Sequence, residues 1–333
     1  MSTRRLLKIL SPIVLLAALY FVGPTLDEPI LDKTLPAVPS EPTALEGYIA
    51  QRESEHKIKP DNEARIVWSD TTKRKTEYSV VYLHGFSASY MEGEPIHRRF
   101  AQKFGCNLFL PRLADHGIDT TEVLLQFTGD RFWESAKEAL AIGKTLGEKV
   151  ILMSTSTGGT VALMLAAEYP DDVYALISMS PNIAINDPAA FLLNDPWGLQ
   201  IARLVMGSNY REWKGSEDRL KYWNHKYRLE SLVQLEELLE QSMTAETFAK
   251  VKQPSLTLYY YKNETEQDPE VKVSAMIKMN EMLGTTDSLK TIVALPNAGA
   301  HVIGSPLTSK DVEGVYKEME KFSIEKLQLK PIR

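Results

Sequence analysis

The most constraining feature of this chain is a short polar cluster, from Ser154 to Gly158, between two apolar segments. Residues 149–153 form an apolar run typical of a buried strand, and residues 159–167 have the composition of a buried helix. The pattern predicts a strand, a sharp turn and a helix, with Ser156 at the apex of the turn. There a serine hydroxyl stands clear of the sheet, beside helix N-terminal N–H groups that can bind an oxyanion.

The close approach of strand and helix at such a turn requires small residues two positions before and two positions after the serine. Ser154 and Gly158 meet this requirement, although glycine is the usual residue at the first position. A Ser/Thr/Gly cluster between a strand and a helix is also typical of an ordinary turn and helix cap. Ser156 is therefore a candidate nucleophile, and other parts of the chain must supply the groups that would activate it.

Two strand-like runs further along the chain are followed by candidates for those groups. Residues 255–261 precede a polar loop and Asp268, and residues 291–296 precede His301. Serine is a weak nucleophile at its free pKa, so a histidine must accept its proton while a carboxylate orients the imidazole and stabilises its charged form. The order serine, acid, histidine is the one that a serine at a strand-to-helix turn predicts.

Four segments together resemble the α/β-hydrolase superfamily, over a region from about Ala64 to Lys326. They are the His84-Gly85-Phe86 turn after an early strand, the serine turn, the Asp268-Pro-x-Val-x-Val loop and the Gly299-x-His301 pair. The resemblance implies a doubly wound, mostly parallel α/β sheet with an inserted helical cap. Within the superfamily, the carboxylesterase and monoglyceride-lipase branch is the most similar.

By this resemblance, five positions take catalytic roles. The predicted triad is Ser156, Asp268 and His301. The predicted oxyanion hole consists of the backbone N–H groups of Phe86 and Thr157, so the side chains of these two residues do not matter for that role.

The acid has alternatives in the preceding loop. Residues 262–267 make this loop longer than is common in the family, and they include Glu264 and Glu266. Either carboxylate could occupy the acid position. Asp268 is preferred because the proline and the spaced valines after it match the family's acid loop, and Glu264 is the first alternative.

The residue types argue against several other mechanisms. Relatives that open epoxides or remove halide carry an aspartate at the turn, where this chain has Ser156. No His-x-x-x-His, Cys-x-x-Cys, Gly-x-Gly-x-x-Gly or Gly-x-x-x-x-Gly-Lys motif occurs, so we expect neither a metal nor a nucleotide cofactor. The net charge of −6 and the dispersed basic residues argue against a nucleic-acid partner. The single cysteine, Cys106, is expected to be a buried thiol.

The N-terminus, residues 1–24, is predicted to be a signal anchor. The stretch Leu6–Gly23 is 18 residues long, close to the ~20 needed to span a bilayer, and no clear Ala-x-Ala cleavage site ends it. Basic residues before it and acidic residues after it favour a cytoplasmic N-terminus and an extracytoplasmic domain. A secreted protein, released by signal-peptide cleavage, is the alternative. The flanking charges are Arg4, Arg5, Lys8, Asp27 and Glu28.

The remainder divides into a linker and one large domain. Residues 25–42 are rich in proline and should be extended and semi-rigid. Residues 43–333 alternate strand and helix patterns, which is typical of a parallel sheet covered on both faces. The alternation stops at about residues 184–250, where aromatic residues and a helical stretch predict the cap, with no clear strand.

Together these features predict a membrane-anchored serine hydrolase that cleaves an acyl ester, of the carboxylesterase or lipase type. Its expected partners are a small acyl substrate and the membrane. A peptidase or amidase and an acyltransferase use the same acyl-enzyme and remain open. A catalytically inactive, membrane-tethered binding protein is a further alternative.

Overall fold

The computed structural model describes residue 15 and residues 18–332. Most of the predicted signal anchor, residues 1–24, lies outside these described residues. Within them, none of the helices combines the length and the apolar character needed to cross a bilayer.

The strands follow the apolar runs of the sequence. Residues 79–83, 150–155 and 175–179 are buried throughout, as expected for central strands of a sheet that is covered on both faces. In chain order the strands are β1 (Arg65–Val67), β2 (Thr76–Leu83), β3 (Asn107–Leu110), β4 (Gly147–Thr155), β5 (Val173–Met179), β6 (Tyr210–Glu212), β7 (Lys226–Arg228), β8 (Ser255–Tyr259), β9 (Tyr261–Asn263), β10 (Glu266–Gln267) and β11 (Lys290–Ala294).

Seven of these strands form the central sheet, in the order β1-β3-β2-β4-β5-β8-β11. β1 is antiparallel to β3, and every other neighbouring pair in this sheet is parallel. The predicted mostly parallel sheet is therefore confirmed. In such a sheet the carboxyl ends of the strands meet at one edge, which is where ligands bind in open α/β folds.

Helices cover both faces of this sheet. In chain order they are α1 (Leu45–Glu53), α2 (Ile96–Phe104), α3 (Gly129–Leu146), α4 (Thr157–Glu168), α5 (Gly198–Met206), α6 (Glu217–Tyr222), α7 (Glu230–Ser242), α8 (Ala245–Lys250), α9 (Val273–Met282) and α10 (Val312–Glu325). One core cluster joins the sheet to α3, α4 and α9, through Leu140 and Met276 among others. A second cluster joins its other face to α2 and α10, through Phe100 and Met319.

Local sequence signals set the ends of several helices. Thr128 caps α3 by accepting a hydrogen bond from the N–H of Arg131 at 3.4 Å, and Asp311 caps α10 by accepting one from Gly314 at 3.0 Å. Helix α2 ends at Gly105, whose φ of 66° is left-handed and suits glycine. These signals stop the helices where the chain must turn back into the sheet.

The cap region, residues 184–250, lies between β5 and β8 and contains α5 to α8. It also contains a two-stranded antiparallel sheet, in which Tyr210 faces Arg228 and Glu212 faces Lys226. The sequence showed no clear strand in this region, because strands of three residues are too short to show a period of two. Several backbone hydrogen bonds attach the cap to the rest of the domain, among them those from Asn224 to Ser87 and from Arg228 to Val123.

The proline-rich segment, residues 25–42, has no regular secondary structure before a short 3-10 turn that starts at Pro42. It is nevertheless held against α3. The indole N–H of Trp133 donates to the carbonyl oxygen of Asp32 at 2.7 Å, and the ammonium of the fully buried Lys137 lies 3.0 Å from the Asp32 carboxylate. The segment therefore packs on the domain rather than standing away from it.

Candidate active site

Ser156 lies at the turn between β4 and α4, as the sequence predicts. Its φ of 54° and ψ of −125° are strained for a residue with a side chain, and such strain occurs where a tight turn presents a functional group. A Cβ atom on Gly158 would lie 2.0 Å from the carbonyl oxygen of Leu83. This contact is the physical reason for glycine two positions after the serine.

The two serines of the turn have different surroundings. Ser156 is 8% exposed and lines a cavity, whereas Ser154 is fully buried in β4. The hydroxyl of Ser154 lies 3.2 Å from the hydroxyl of Ser178 on the neighbouring strand. Only Ser156 of this pair can meet a ligand.

His301 lies in the loop after β11, and its Nδ1 is 2.8 Å from Oδ2 of Asp268. The other carboxylate oxygen of Asp268 accepts the backbone N–H groups of Glu270 at 2.9 Å and Val271 at 3.1 Å. These N–H groups hold the carboxylate in one orientation, and the carboxylate in turn orients the imidazole, leaving Nε2 available for a proton.

The electrostatics of this pair favour its charged form. Burial opposes ionisation of both groups. The pKa of Asp268 is nevertheless lowered, by the charge and hydrogen bond of His301 and by the two backbone N–H groups. The pKa of His301 is raised above its usual value, because the carboxylate of Asp268, with the charges of Glu270 and Glu92, outweighs burial.

Glu264 and Glu266 lie away from His301. The long loop that suggested them contains the short hairpin of β9 and β10, which carries both glutamates to the surface. Glu264 accepts a hydrogen bond from the hydroxyl of Tyr261 at 2.8 Å, and Glu266 forms an ion pair with Lys262 at 2.9 Å. The geometry therefore pairs Asp268, not Glu264, with the histidine.

The two predicted oxyanion donors lie beside the serine. Thr157 is the first residue of α4, so its backbone N–H has no acceptor within the helix. Phe86 follows the Gly85 turn after β2 and lines the same cavity as Ser156. His84 supports this turn, because its Nε2 accepts the N–H of Leu113 at 3.0 Å while Nδ1 lies 2.9 Å from the carbonyl oxygen of Gly85.

A cavity of about 610 Å³ lies above these groups. Its floor is the domain, with Ser156, His301 and the two oxyanion donors, and its roof is the cap. The residues of the cap region that line the cavity are Ile185, Arg211, Trp213, Lys214, Arg219, Trp223, Tyr227, Leu232 and Leu235. A cavity of this size is enough for a small organic substrate.

Sequence reasoning missed a second carboxylate at the floor, Glu92. It is 2% exposed, and its Oε2 accepts the backbone N–H of Gly85 at 2.5 Å. Burial raises the pKa of Glu92 to about 7, although Gly85, His301, Trp223 and Arg219 all act to lower it. No local pattern marks this residue, since it lies on a single 3-10 turn in a polar loop.

The remaining candidates have structural surroundings. Cys106 is buried beside β3, as predicted, and burial raises the pKa of its thiol to about 12. The side chain of His116 is buried, with Nδ1 2.7 Å from the carbonyl oxygen of Ala114. Within the part of the chain that the structure describes, no three acidic, histidine or cysteine side chains are arranged to hold a metal ion.

The fold and the site define an α/β-hydrolase. Residues 75–259 match the family described as serine aminopeptidase, S33. The chain belongs to this family, within the α/β-hydrolase superfamily. No curated protein matches its sequence.

Several solved structures share the fold. A metagenome-derived lipolytic enzyme superposes with a TM-score of 0.64 at 17% identity, covering 80% of this chain and 98% of its own. A monoacylglycerol lipase from Paleococcus ferrophilus gives 0.57 at 13% identity, with 79% and 98% covered. A soluble variant of the monoglyceride lipase from Saccharomyces cerevisiae gives a TM-score of 0.57 at 12% identity, with 78% of this chain and 89% of its own covered.

Proposed function

We propose that this chain is a serine hydrolase that cleaves acyl esters through an acyl-enzyme on Ser156. The observation that carries the proposal is that His301, hydrogen-bonded to Asp268, lines the same cavity as Ser156, which lies at a strained strand-to-helix turn. Nucleophile, base and orienting carboxylate are the three groups that acyl transfer requires.

In the first half of the reaction, the hydroxyl oxygen of Ser156 attacks the ester carbonyl carbon while Nε2 of His301 takes the hydroxyl proton. Asp268 holds the imidazole through Nδ1 and stabilises its positive charge. The negative charge on the carbonyl oxygen is stabilised by the N–H groups of Phe86 and Thr157. His301 then gives its proton to the leaving alcohol, and the acyl group stays on Ser156.

In the second half, water replaces the alcohol. His301 removes a proton from the water as its oxygen attacks the acyl carbon, and the same N–H groups stabilise the second oxyanion. The tetrahedral intermediate then collapses, the bond between the acyl carbon and the Ser156 oxygen breaks, and this oxygen takes a proton from His301. The acid leaves, and the enzyme returns to its starting state.

The family description favours a second candidate, cleavage of an amide at the N-terminus of a peptide. Amide cleavage proceeds through the same acyl-enzyme. An acyltransferase also forms this intermediate, but an alcohol takes the acyl group in place of water. The solved structures with a similar fold include lipolytic enzymes and monoglyceride lipases, and this similarity of fold favours an ester substrate. A tethered protein without catalysis is the remaining alternative.

A direct comparison of substrates tests the proposal. We expect turnover of p-nitrophenyl esters of increasing acyl length, with much slower turnover of aminoacyl p-nitroanilides, and covalent labelling by a fluorophosphonate. Faster anilide cleavage would establish the peptidase instead. Labelling without turnover of either series would favour an acyltransferase, and the absence of both would leave a binding protein.

We also propose that residues 1–24 anchor the chain in a membrane with the catalytic domain on the extracytoplasmic side. The apolar length and the flanking charges support this topology. Membranes should retain the activity after a high-salt wash, because apolar insertion does not depend on charge, and protease added outside the membrane should reach the domain. A free protein with a new N-terminus just after the apolar run would establish a cleaved signal peptide instead.

A further inference from the structure

The cap region, residues 184–250, contains eight lysine and arginine residues. Five of them form ion pairs: Arg203, Lys221, Lys226, Arg228 and Lys250. The other three, Arg211, Lys214 and Arg219, pair with no carboxylate of the described residues, and all three line the cavity above Ser156. We call these three residues the cap cations. The basic residues of the cap that line the cavity are therefore the same ones that lack an ion-pair partner.

Arg219 is held in place without a carboxylate. Its guanidinium carbon lies 4.4 Å from the ring centre of Trp213 and 5.5 Å from that of Trp223. Its Nε is buried, and no hydrogen-bond acceptor for it occurs among the described residues. Stacking on aromatic rings fixes a guanidinium while leaving the N–H groups at its edge free to bind an anion.

Two carboxylates, Glu92 and Glu270, line the same cavity and their charges act on Arg219, but among the described residues neither forms an ion pair with a cap cation. Glu92 is buried in the floor and bonded to Gly85, and its pKa of about 7 means that it carries only part of a charge near neutral pH. Glu270 is exposed. The cavity walls therefore carry an excess of positive charge in a chain whose net charge is −6.

We propose that the substrate is an ester that carries an anionic group, which binds the cap cations while its ester carbonyl lies at Ser156. The proposal rests on the proposed ester hydrolysis and specifies its substrate class. Arginine and lysine side chains that line a cavity bind carboxylate or phosphate, arginine in a bidentate manner.

The test compares two esters that differ only in charge, p-nitrophenyl valerate and mono-p-nitrophenyl glutarate, in which a carboxylate replaces the terminal methyl group. The measured quantity is the ratio of kcat/KM for the glutarate ester to that for the valerate ester. Intrinsic reactivity cancels when this ratio is compared between variants. We expect Arg219→Gln to lower the ratio by about tenfold, and Arg211→Gln or Lys214→Gln by about two- to fivefold.

A second pair places the charge on the alcohol side: 4-acetoxybenzoate and its methyl ester. If the cap-cation variants lower the ratio of charged to neutral ester in this pair alone, the anionic group belongs to the leaving alcohol. If they lower it in the glutarate pair alone, the anionic group belongs to the acyl part. Binding of free phosphate is tested by measuring whether inorganic phosphate inhibits hydrolysis of p-nitrophenyl valerate. Loss of that inhibition in Lys214→Gln would indicate that a phosphate group binds there.

The matched control is Lys221→Gln, which removes a cation from the same helix as Arg219 but from an exposed pair with Asp218. It should leave both ratios unchanged. Arg211 and Lys214 are exposed, so their variants keep the test decisive if Arg219→Gln fails to fold. If p-nitrophenyl valerate is hydrolysed but neither ratio changes in any cap-cation variant, the proposed anionic substrate is wrong and the proposed ester hydrolysis still stands. Hydrolysis of none of the esters by the unmodified protein would overturn the proposed function itself.

Discussion

The floor and the roof of the cavity above Ser156 use charge in opposite ways. On the floor, the buried Asp268 is hydrogen-bonded to His301, and the buried Glu92 accepts the N–H of Gly85. On the roof, the cap cations have no carboxylate partner among the described residues. Groups that are paired and buried hold one geometry, as bond making requires, whereas unpaired groups remain available to a ligand. We therefore expect the sheet to carry the chemistry and the cap to select the substrate.

The largest expected effect is on the floor. Ser156→Ala removes the attacking oxygen, so kcat for a p-nitrophenyl ester should fall by ~10³-fold or more, with loss of fluorophosphonate labelling. Ser154→Ala is the matched control, and it should label normally because the Ser154 side chain faces Ser178 inside the sheet. Labelling that survives in Ser156→Ala but is lost in Ser154→Ala would move the nucleophile to Ser154.

The next effect distinguishes the two acids. Asp268→Asn keeps the shape of the side chain but removes the charge that stabilises the protonated imidazole, so kcat should fall by orders of magnitude with a smaller change in KM. Glu264→Gln should have little effect, because this side chain is exposed and bonded to Tyr261. Kinetic constants for the two variants, measured with one neutral ester, decide the assignment. Near-normal turnover in Asp268→Asn would remove it from the triad.

A smaller effect concerns pH. His301 accepts a proton only when neutral, and its pKa is raised in part by the charge of Glu92, so activity should fall as pH decreases through a pKa above the usual ~6.5. Glu92→Gln keeps an acceptor for the N–H of Gly85 and removes the charge. The acidic limb of the kcat/KM profile should therefore move to lower pH, with Glu266→Gln as the exposed control. A limb that stays in place would show that Glu92 does not act on His301.

The smallest effect is on the roof. Trp213→Leu removes one of the two rings on which Arg219 stacks. We expect a two- to fivefold increase in KM for mono-p-nitrophenyl glutarate, roughly the scale of an exposed cation–π contact, with kcat retained. Fluorophosphonate labelling provides the control for an intact floor. A loss of labelling would mean that roof and floor are not separable, which would contradict the comparison.

The sequence predicted those parts of the site that depend on local patterns. Ser156 is marked by an apolar strand, a turn with small residues and a helix, and these signals all lie within residues 149–167. His301 is marked by its place after the last strand. A parallel sheet then brings the ends of such strands together, so segment order was enough to predict that both residues line one cavity.

The resemblance favoured Asp268 but left Glu264 and Glu266 open as alternatives, and no sequence signal indicated Glu92. Asp268, Glu264 and Glu266 follow the same strand, and the choice depends on the hairpin of β9 and β10, which turns the two glutamates outward. That hairpin contains only short strands, whose periods are not visible in the chain. The packing of the loop after β2 against Gly85 likewise decides the position of Glu92.

The sequence by itself determined the fold class, the strand-to-helix turn at Ser156 and the order of the candidate triad, because each depends on residues that are close in the chain or on the direction of strands. Only the tertiary structure decided which carboxylate meets His301, that the proline-rich segment packs on α3, and which cap cations lack a partner above Ser156. Those features depend on contacts between residues distant in sequence. Burial and charge pairing arise from such contacts, and no local pattern encodes them.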